Sequence, residues 1–290
     1  MTPTTRPAGL VSERIGQFFH DDHRLEFTEY GGGDAWVVLL PGQLMPRRMH
    51  EPLARKLAAA GNHVVTLDLL GHGRSDRPAD PSAYSMTAFA EEVLGLMDHL
   101  GIERAVVGGT SLGANVSLEV ADAAPQRVGG LLLEMPVLDN AVEAGIVAFA
   151  PLLFVARAAP FAISGVRAAT GWVPRGVVPF WAGIALDTLN QRPASVAAAI
   201  HGIFFGRVAP PASRRREIDA PALVIGHPKD PVHPAADAAM LAGELVDATF
   251  VEARSILEWR RHPQRLDDLA IEFCARCAAQ TSAPARLRST

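Results

Sequence analysis

Ser111 stands where this chain's chemistry converges. It lies at the centre of Gly109-Thr110-Ser111-Leu112-Gly113, directly after the apolar run Ala105 to Val107 and directly before a helical pattern. That succession reads as a strand, a tight turn with serine at its tip, and a helix. A non-glycine residue at such a tip takes a strained backbone, and the flanking glycines leave room for it. The turn lifts the hydroxyl out of the sheet, beside the N–H groups that open the helix. A serine hydroxyl is a poor nucleophile until a base takes its proton and donors hold the resulting oxyanion. Those further groups must come from elsewhere in the chain.

The elements that would position them alternate. Two strands are expected over Arg14 to His20 and His23 to Tyr30, then apolar strands at Trp36–Leu40, His63–Leu69, Ala105–Val107, Val128–Glu134, Pro221–Gly226 and Ala248–Glu252. Helices are expected over 48–60, Met86–Leu100, from the Ser111 turn to Ala123, Pro234–Gly243 and Pro263–Ala279. Between Pro136 and Arg216 the alternation gives way to an Ala-, Val-, Phe- and Pro-rich stretch with helical spacing and no strand. Apolar strands separated by helices imply an α/β fold: a mostly parallel twisted sheet flanked by helices, here with an inserted all-helical cap above its C-terminal edge. The expected division is a core over 10–135 and 217–280, a cap over 136–216, and flexible tails at 1–9 and 281–290.

With 49% hydrophobic residues and a net charge of −4, the 290-residue chain has material for a large core, and disorder is excluded. That whole-chain balance suggests neither a nucleic acid nor an anionic membrane surface as partner. The Arg214-Arg215-Arg216 run reads as a solvated connector. Met1 to Leu10 lacks the apolar stretch of a secretory signal, and Gly145–Ala156 is interrupted by Pro151 and too short to span a bilayer. A soluble, cytoplasmic protein without membrane insertion is expected, with a homodimer open. Cys274 and Cys277 fall three residues apart in a helical pattern and read as ordinary packed or surface thiols, so no metal and no cofactor is expected.

Four segments, in this order and spacing, resemble the α/β-hydrolase superfamily of capped serine hydrolases. They are Leu39-Leu40-Pro41-Gly42-Gln43, Asp68-Leu-Leu-Gly-His-Gly-Arg-Ser-Asp76, Gly109–Gly113, and Gly226-His-Pro-Lys-Asp-Pro-Val-His-Pro234. The resemblance implies that Ser111 is the nucleophile, that the backbone N–H groups of Gln43 and Leu112 form the oxyanion hole, and that Asp230 is the acid. Proline replaces the commoner histidine at position 41, which leaves main-chain donors intact. The Gln43 side chain would either join the pocket or point to solvent. Glu134, ending a strand, is a reserve acid, or a residue that bonds neighbouring loop backbone.

The catalytic histidine is missing from the place where the superfamily has it, just after the last strand. Counted from the strand, Arg254 stands there, and counted back from Pro263 the place is nearer Ile256; neither is histidine, and a guanidinium cannot accept the serine proton. Three histidines could substitute: His233, three residues beyond Asp230 and the one taken as the catalytic base; His262, ahead of the last helix but several residues too late; and His227, which opens the acid loop, a weaker third choice. His72 belongs to a Gly-His-Gly turn and reads as structural. Arg254 would then be an anchor for an anionic group or for a carboxylate such as Asp230 or Glu258.

Two functions are compatible with these residues. The first is hydrolysis of an ester or related acyl bond in a small hydrophobic substrate, suggested by the apolar cap residues Phe149, Leu152, Phe154, Phe161, Trp172, Phe180, Trp181, Phe204 and Phe205. His201 and Asn190 are the scarce polar groups among them, with solvent as the simpler destination of each. The second keeps the fold without hydrolysis, as an apolar-ligand binder or a cofactor-free lyase or oxygenase using a fixed charge at Arg254.

Overall fold

The computed structural model describes residues 11–138, 142–204 and 206–282. The expected tail at 1–9, residues 283–290 of the one expected at 281–290, and Phe205 lie outside the described residues, whereas 281 and 282 belong to the last helix. Eight strands form one sheet: β1 (Glu13–His20), β2 (His23–Gly31), β3 (Ala35–Leu40), β4 (Asn62–Asp68), β5 (Ala105–Thr110), β6 (Val128–Glu134), β7 (Ala222–Gly226) and β8 (Ala248–Glu252). Their order across the sheet is β1-β2-β4-β3-β5-β6-β7-β8. Only β2 runs against its neighbours; every pairing from β4 to β8 is parallel.

Helices α1 (Glu51–Ala59), α2 (Met86–His99) and α3 (Leu112–Ala123) connect the first six strands. Between β6 and β7 lie α4 (Val142–Ala158), α5 (Pro160–Thr170), α6 (Phe180–Leu189), α7 (Pro193–Phe204) and α8 (Ala212–Arg215), with no strand among the described residues there. The core closes with α9 (Ala235–Glu244), α10 (Glu258–Arg261) and α11 (Gln264–Ser282). Side chains of α2, α3 and α9 bury one face of the sheet, and those of α1 and α11 bury the other. Burial on both faces explains why β3, β5 and β6 read as apolar runs without alternation.

Asn115, on the helix that follows Ser111, anchors both ends of the helical insertion. Its Nδ2 donates to the carbonyls of Val137 (2.7 Å) and Val208 (2.6 Å), and its Oδ1 accepts from Val137 N (3.0 Å). The Arg214-Arg215-Arg216 run is not wholly solvated. Arg215 is buried and paired with Glu244 at 2.5 Å, while Arg214 reaches Asp122 at 2.7 Å. The run thereby fastens the end of the insertion to α3 and α9.

Cys274 and Cys277 are free and buried; burial pushes their thiols up to about 12 and about 11, so both stay protonated. Glu92 of α2 is buried too, with the Leu70 N–H donating to its carboxylate at 2.9 Å. Burial dominates and pushes its pKa up from 4.5 to about 8. The folded chain therefore holds a proton that the unfolded chain releases above pH 4.5. This group favours folding fully in acid, and its contribution is lost as pH rises towards 8. Glu92→Gln, which keeps an acceptor for Leu70 N–H, is expected to raise the melting temperature at pH 8 and to change it little near pH 5. Equal melting temperatures at pH 8 would contradict this.

Candidate active site

The Ser111 turn has the strained geometry that its surroundings require. Ser111 adopts φ 55°, ψ −110°, directly after β5 and as the residue preceding α3. A Cβ on Gly109 or Gly113 would stand 2.3 or 2.2 Å from the Leu40 carbonyl oxygen, so only glycine lets the end of β3 lie against the turn. Ser111 N donates to the Glu134 carbonyl at 2.8 Å, which holds the turn to β6. Leu112 opens α3, so its N–H has no acceptor within the helix.

Facing this turn is the loop after β3. Met45 N donates to the Gly42 carbonyl at 2.9 Å, and the Gly42 N–H is held by the Met49 sulfur at 3.2 Å. Leu44, although buried and not glycine, sits at φ 61°, and its carbonyl accepts from Nε2 of Gln191 in the insertion. Such strain persists where the surroundings impose it, and it clusters at functional sites. Oε1 and Nε2 of Gln43 are both buried and have no hydrogen-bond partner among the described residues. Gln43 therefore does not point to solvent.

The loop after β7 supplies two groups from four residues. Lys229 turns the chain at φ 59°, and one oxygen of Asp230 accepts from Val232 N (2.8 Å) and His233 N (3.0 Å). This side-chain-to-backbone turn directs the His233 ring back over the aspartate. His233 Nδ1 lies 3.1 Å from the other Asp230 oxygen, and His233 Nε2 lies 2.9 Å from Ser111 Oγ. A carboxylate only accepts, so Nδ1 carries the proton, and the Nε2 lone pair faces the serine hydroxyl. Burial pushes the Asp230 carboxyl up, but the His233 ring and the two loop N–H groups outweigh it and hold it below its ordinary value. Asp230 is thus both a turn residue and a partner for histidine.

The other candidates lie elsewhere. His227 is buried, with Nδ1 3.1 Å from the Ser255 carbonyl and Nε2 3.0 Å from Glu134, so its ring is committed away from Ser111. His262 is exposed at the end of α10. The buried ring of His72 bonds the Leu70 carbonyl within its own turn at 2.9 Å. Arg254 does not face the serine: it is exposed, and its backbone N–H donates to the Glu258 carboxylate. Arg254→Ala is accordingly expected to change turnover by no more than about twofold, as for exposed positions generally. A loss of a hundredfold or more in kcat/KM would contradict this placement.

The guanidinium that does reach the sheet edge is Arg260, 2.7 Å from Glu134. Among the described residues, no loop backbone group bonds the Glu134 side chain. Its carboxylate also accepts from Thr110 Oγ1 at 2.5 Å, and it adjoins His227. Burial works against its ionisation, but Arg260 and His227 prevail and hold the carboxyl well below the usual range. The buried ring of His50 nearby is pushed down to about 4 by burial and stays neutral. These groups border a cavity of about 220 Å³ lined also by Met49, Trp181 and Trp259, but not by Ser111, Gln43 or His233. Asn190 caps the end of α6 through Leu186 O at 2.7 Å. Among the described residues no group of three or more His, Cys, Asp or Glu is arranged to hold a metal ion.

Residues 35–152 match the alpha/beta hydrolase fold family. A haloalkane dehalogenase from Mycolicibacterium paratuberculosis is 30% identical over 139 residues, 48% of this chain and 46% of that protein. The structure of an enol-lactonase from Burkholderia xenovorans superposes with a TM-score of 0.74 at 22% identity, covering 90% of this chain and 100% of that one. A 2-hydroxy-6-oxo-6-phenylhexa-2,4-dienoate hydrolase from a Rhodococcus species superposes at 0.72 with 20% identity, covering 92% and 99%. The first curated relatives are matched over only 20 to 46% of their own length. Together with the sheet order, these likenesses define an α/β-hydrolase-fold protein.

Proposed function

We propose that this chain hydrolyses an ester or related acyl bond of a small hydrophobic compound through a serine nucleophile. The observation that carries this is the continuous contact from Asp230 through His233 to Ser111, at 3.1 and 2.9 Å. His233 Nε2 takes the Ser111 proton as Oγ attacks the carbonyl carbon, and the N–H groups of Gln43 and Leu112 hold the oxyanion. The imidazolium, steadied by Asp230, returns that proton to the leaving oxygen as the carbon–oxygen bond breaks. Water, deprotonated by the same ring, then releases the acyl group. The unpartnered Gln43 amide is suited to a polar group on an otherwise apolar substrate, because an unmet buried amide costs about 1–3 kcal/mol. That the structural neighbours include an enol-lactonase and a hydrolase supports a hydrolytic reaction.

The second function, a protein of this fold without hydrolysis, had its motive in the histidine missing after β8. With His233 beside Ser111, that motive falls away. Mixing the chain with excess p-nitrophenyl butyrate is expected to release a burst of about one p-nitrophenol per chain, followed by slower turnover, the sign of an acyl-enzyme. No release above buffer from any short or medium acyl chain would overturn the proposal.

A further inference from the structure

Among the described residues, the insertion carries large apolar side chains that no other element covers. Val147, Phe154, Phe161, Trp172 and Val177 are 71 to 77% exposed, and α5 has no buried residue although its sequence is PFAISGVRAAT. On α4 the exposed Val147, Pro151, Phe154 and Ala158 follow the 4-3-4 spacing of a single helix stripe. The two helices meet at 98°, and two axes that meet can lie in one plane, so both can rest on a flat surface. Scattered exposed apolar residues are ordinary, but so many large ones gathered within residues 147–177 mark an interaction site.

Charge selects the partner. From Ala144 to Leu186 the sequence has no Asp or Glu, and its only charged residues are Arg157, Arg167 and Arg175. Arg175 is paired with Asp187 at 2.7 Å, whereas Arg157 and Arg167 are exposed and have no carboxylate partner among the described residues. The net charge of −4 conceals this local imbalance. A second copy docked face to face about a two-fold axis would bring four exposed arginines together, and residues 144–186 supply no acid to offset them. An anionic lipid surface supplies the missing charge, while aromatic and aliphatic side chains enter the headgroup region.

We propose that α4, α5 and the Trp172 turn form a membrane-docking face that adsorbs the protein to anionic lipid bilayers. No single helix among the described residues is long and apolar enough to cross a membrane, so adsorption to the surface is what is proposed. It stands independently of the hydrolytic proposal, and its readout involves no turnover.

The test is flotation of the whole chain with vesicles of phosphatidylcholine alone or mixed with phosphatidylglycerol. Binding is expected to favour the anionic vesicles and to weaken as salt is raised. F161S/W172S is expected to lower partitioning by about tenfold or more, from the lost burial of two large side chains. R157Q/R167Q is expected to abolish the preference for anionic vesicles. Should the aromatic pair fail to fold, the arginine pair decides. The proposal is overturned by absent binding to both vesicles, by binding indifferent to both substitutions, or by a concentration-dependent dimer that W172S dissolves.

Discussion

Replacing His233 by alanine lowers kcat for a short acyl ester by about 10⁴-fold and leaves KM within a few-fold. Deleting the base of a serine–histidine–aspartate relay leaves only oxyanion stabilisation and binding, which retain about 10³- to 10⁴-fold over water. The expectation is specific to this histidine. His262→Ala, at an exposed helix end, changes kcat by no more than about twofold. Asp230→Asn keeps an acceptor for the Val232 and His233 N–H groups, so the loop survives. The amide, however, presents donors to Nδ1 and favours the wrong imidazole tautomer. That variant is therefore expected to retain its melting temperature and lose kcat by about 10²- to 10⁴-fold. Steady-state kinetics with thermal melts check all three variants. A His233→Ala enzyme with more than a tenth of wild-type kcat would require another base.

Replacing Ser111 by alanine has an effect at least as large. Alanine keeps the Cβ and tolerates φ 55° about as poorly as serine does, so the turn is expected to stay folded with its strain unchanged. The burst disappears, kcat falls by at least about 10³-fold, and binding of a non-hydrolysable analogue is retained, because only the attacking oxygen has gone. Groups that act as one unit do not add. The Ser111→Ala/His233→Ala double variant is therefore expected to be no slower than the slower single variant, within about threefold. Kinetic losses that multiplied would mean that the two residues work separately.

Much of this architecture was legible in the sequence. Strands buried on both faces appear as apolar runs, and the punctuation at Gly109 and Gly113 marks a turn that tolerates no side chain there. Ser111 and Asp230 were legible for that reason, each lying at the end of a strand that its own run defines. The histidine was legible only as a first choice, His233, because the selection among His227, His233 and His262 depends on where rings point. The Asp230 carboxylate makes that choice by folding the loop through Val232 N and His233 N, and sequence spacing records no such turn geometry.

The Arg254 position illustrates the opposite failure. Counting from β8 puts an arginine where histidine was wanted, yet the chain after Ala253 turns towards α11. Glu258 binds Arg254 N and the Arg265 side chain, and the burial of Trp259 leaves Arg260 to reach Glu134. Glu134 and Arg260 are 126 positions apart, beyond the reach of any local pattern. The aromatic residues of the insertion were misjudged for a related reason. Helical spacing identifies an apolar face but does not say what covers it, and Phe154, Phe161 and Trp172, counted among the apolar cap residues that suggest a hydrophobic substrate, are exposed.

The central claim is that Ser111 becomes a nucleophile because His233, drawn from the acid's own loop, takes its proton. The rate at which a fluorophosphonate attaches to Ser111, followed by peptide mass analysis in wild type and in His233→Ala, tests this most directly. Rapid single-site modification of Ser111 that slows by about 100-fold or more without the imidazole is the predicted result. An unchanged rate in the variant, or an adduct on any other residue, would contradict it.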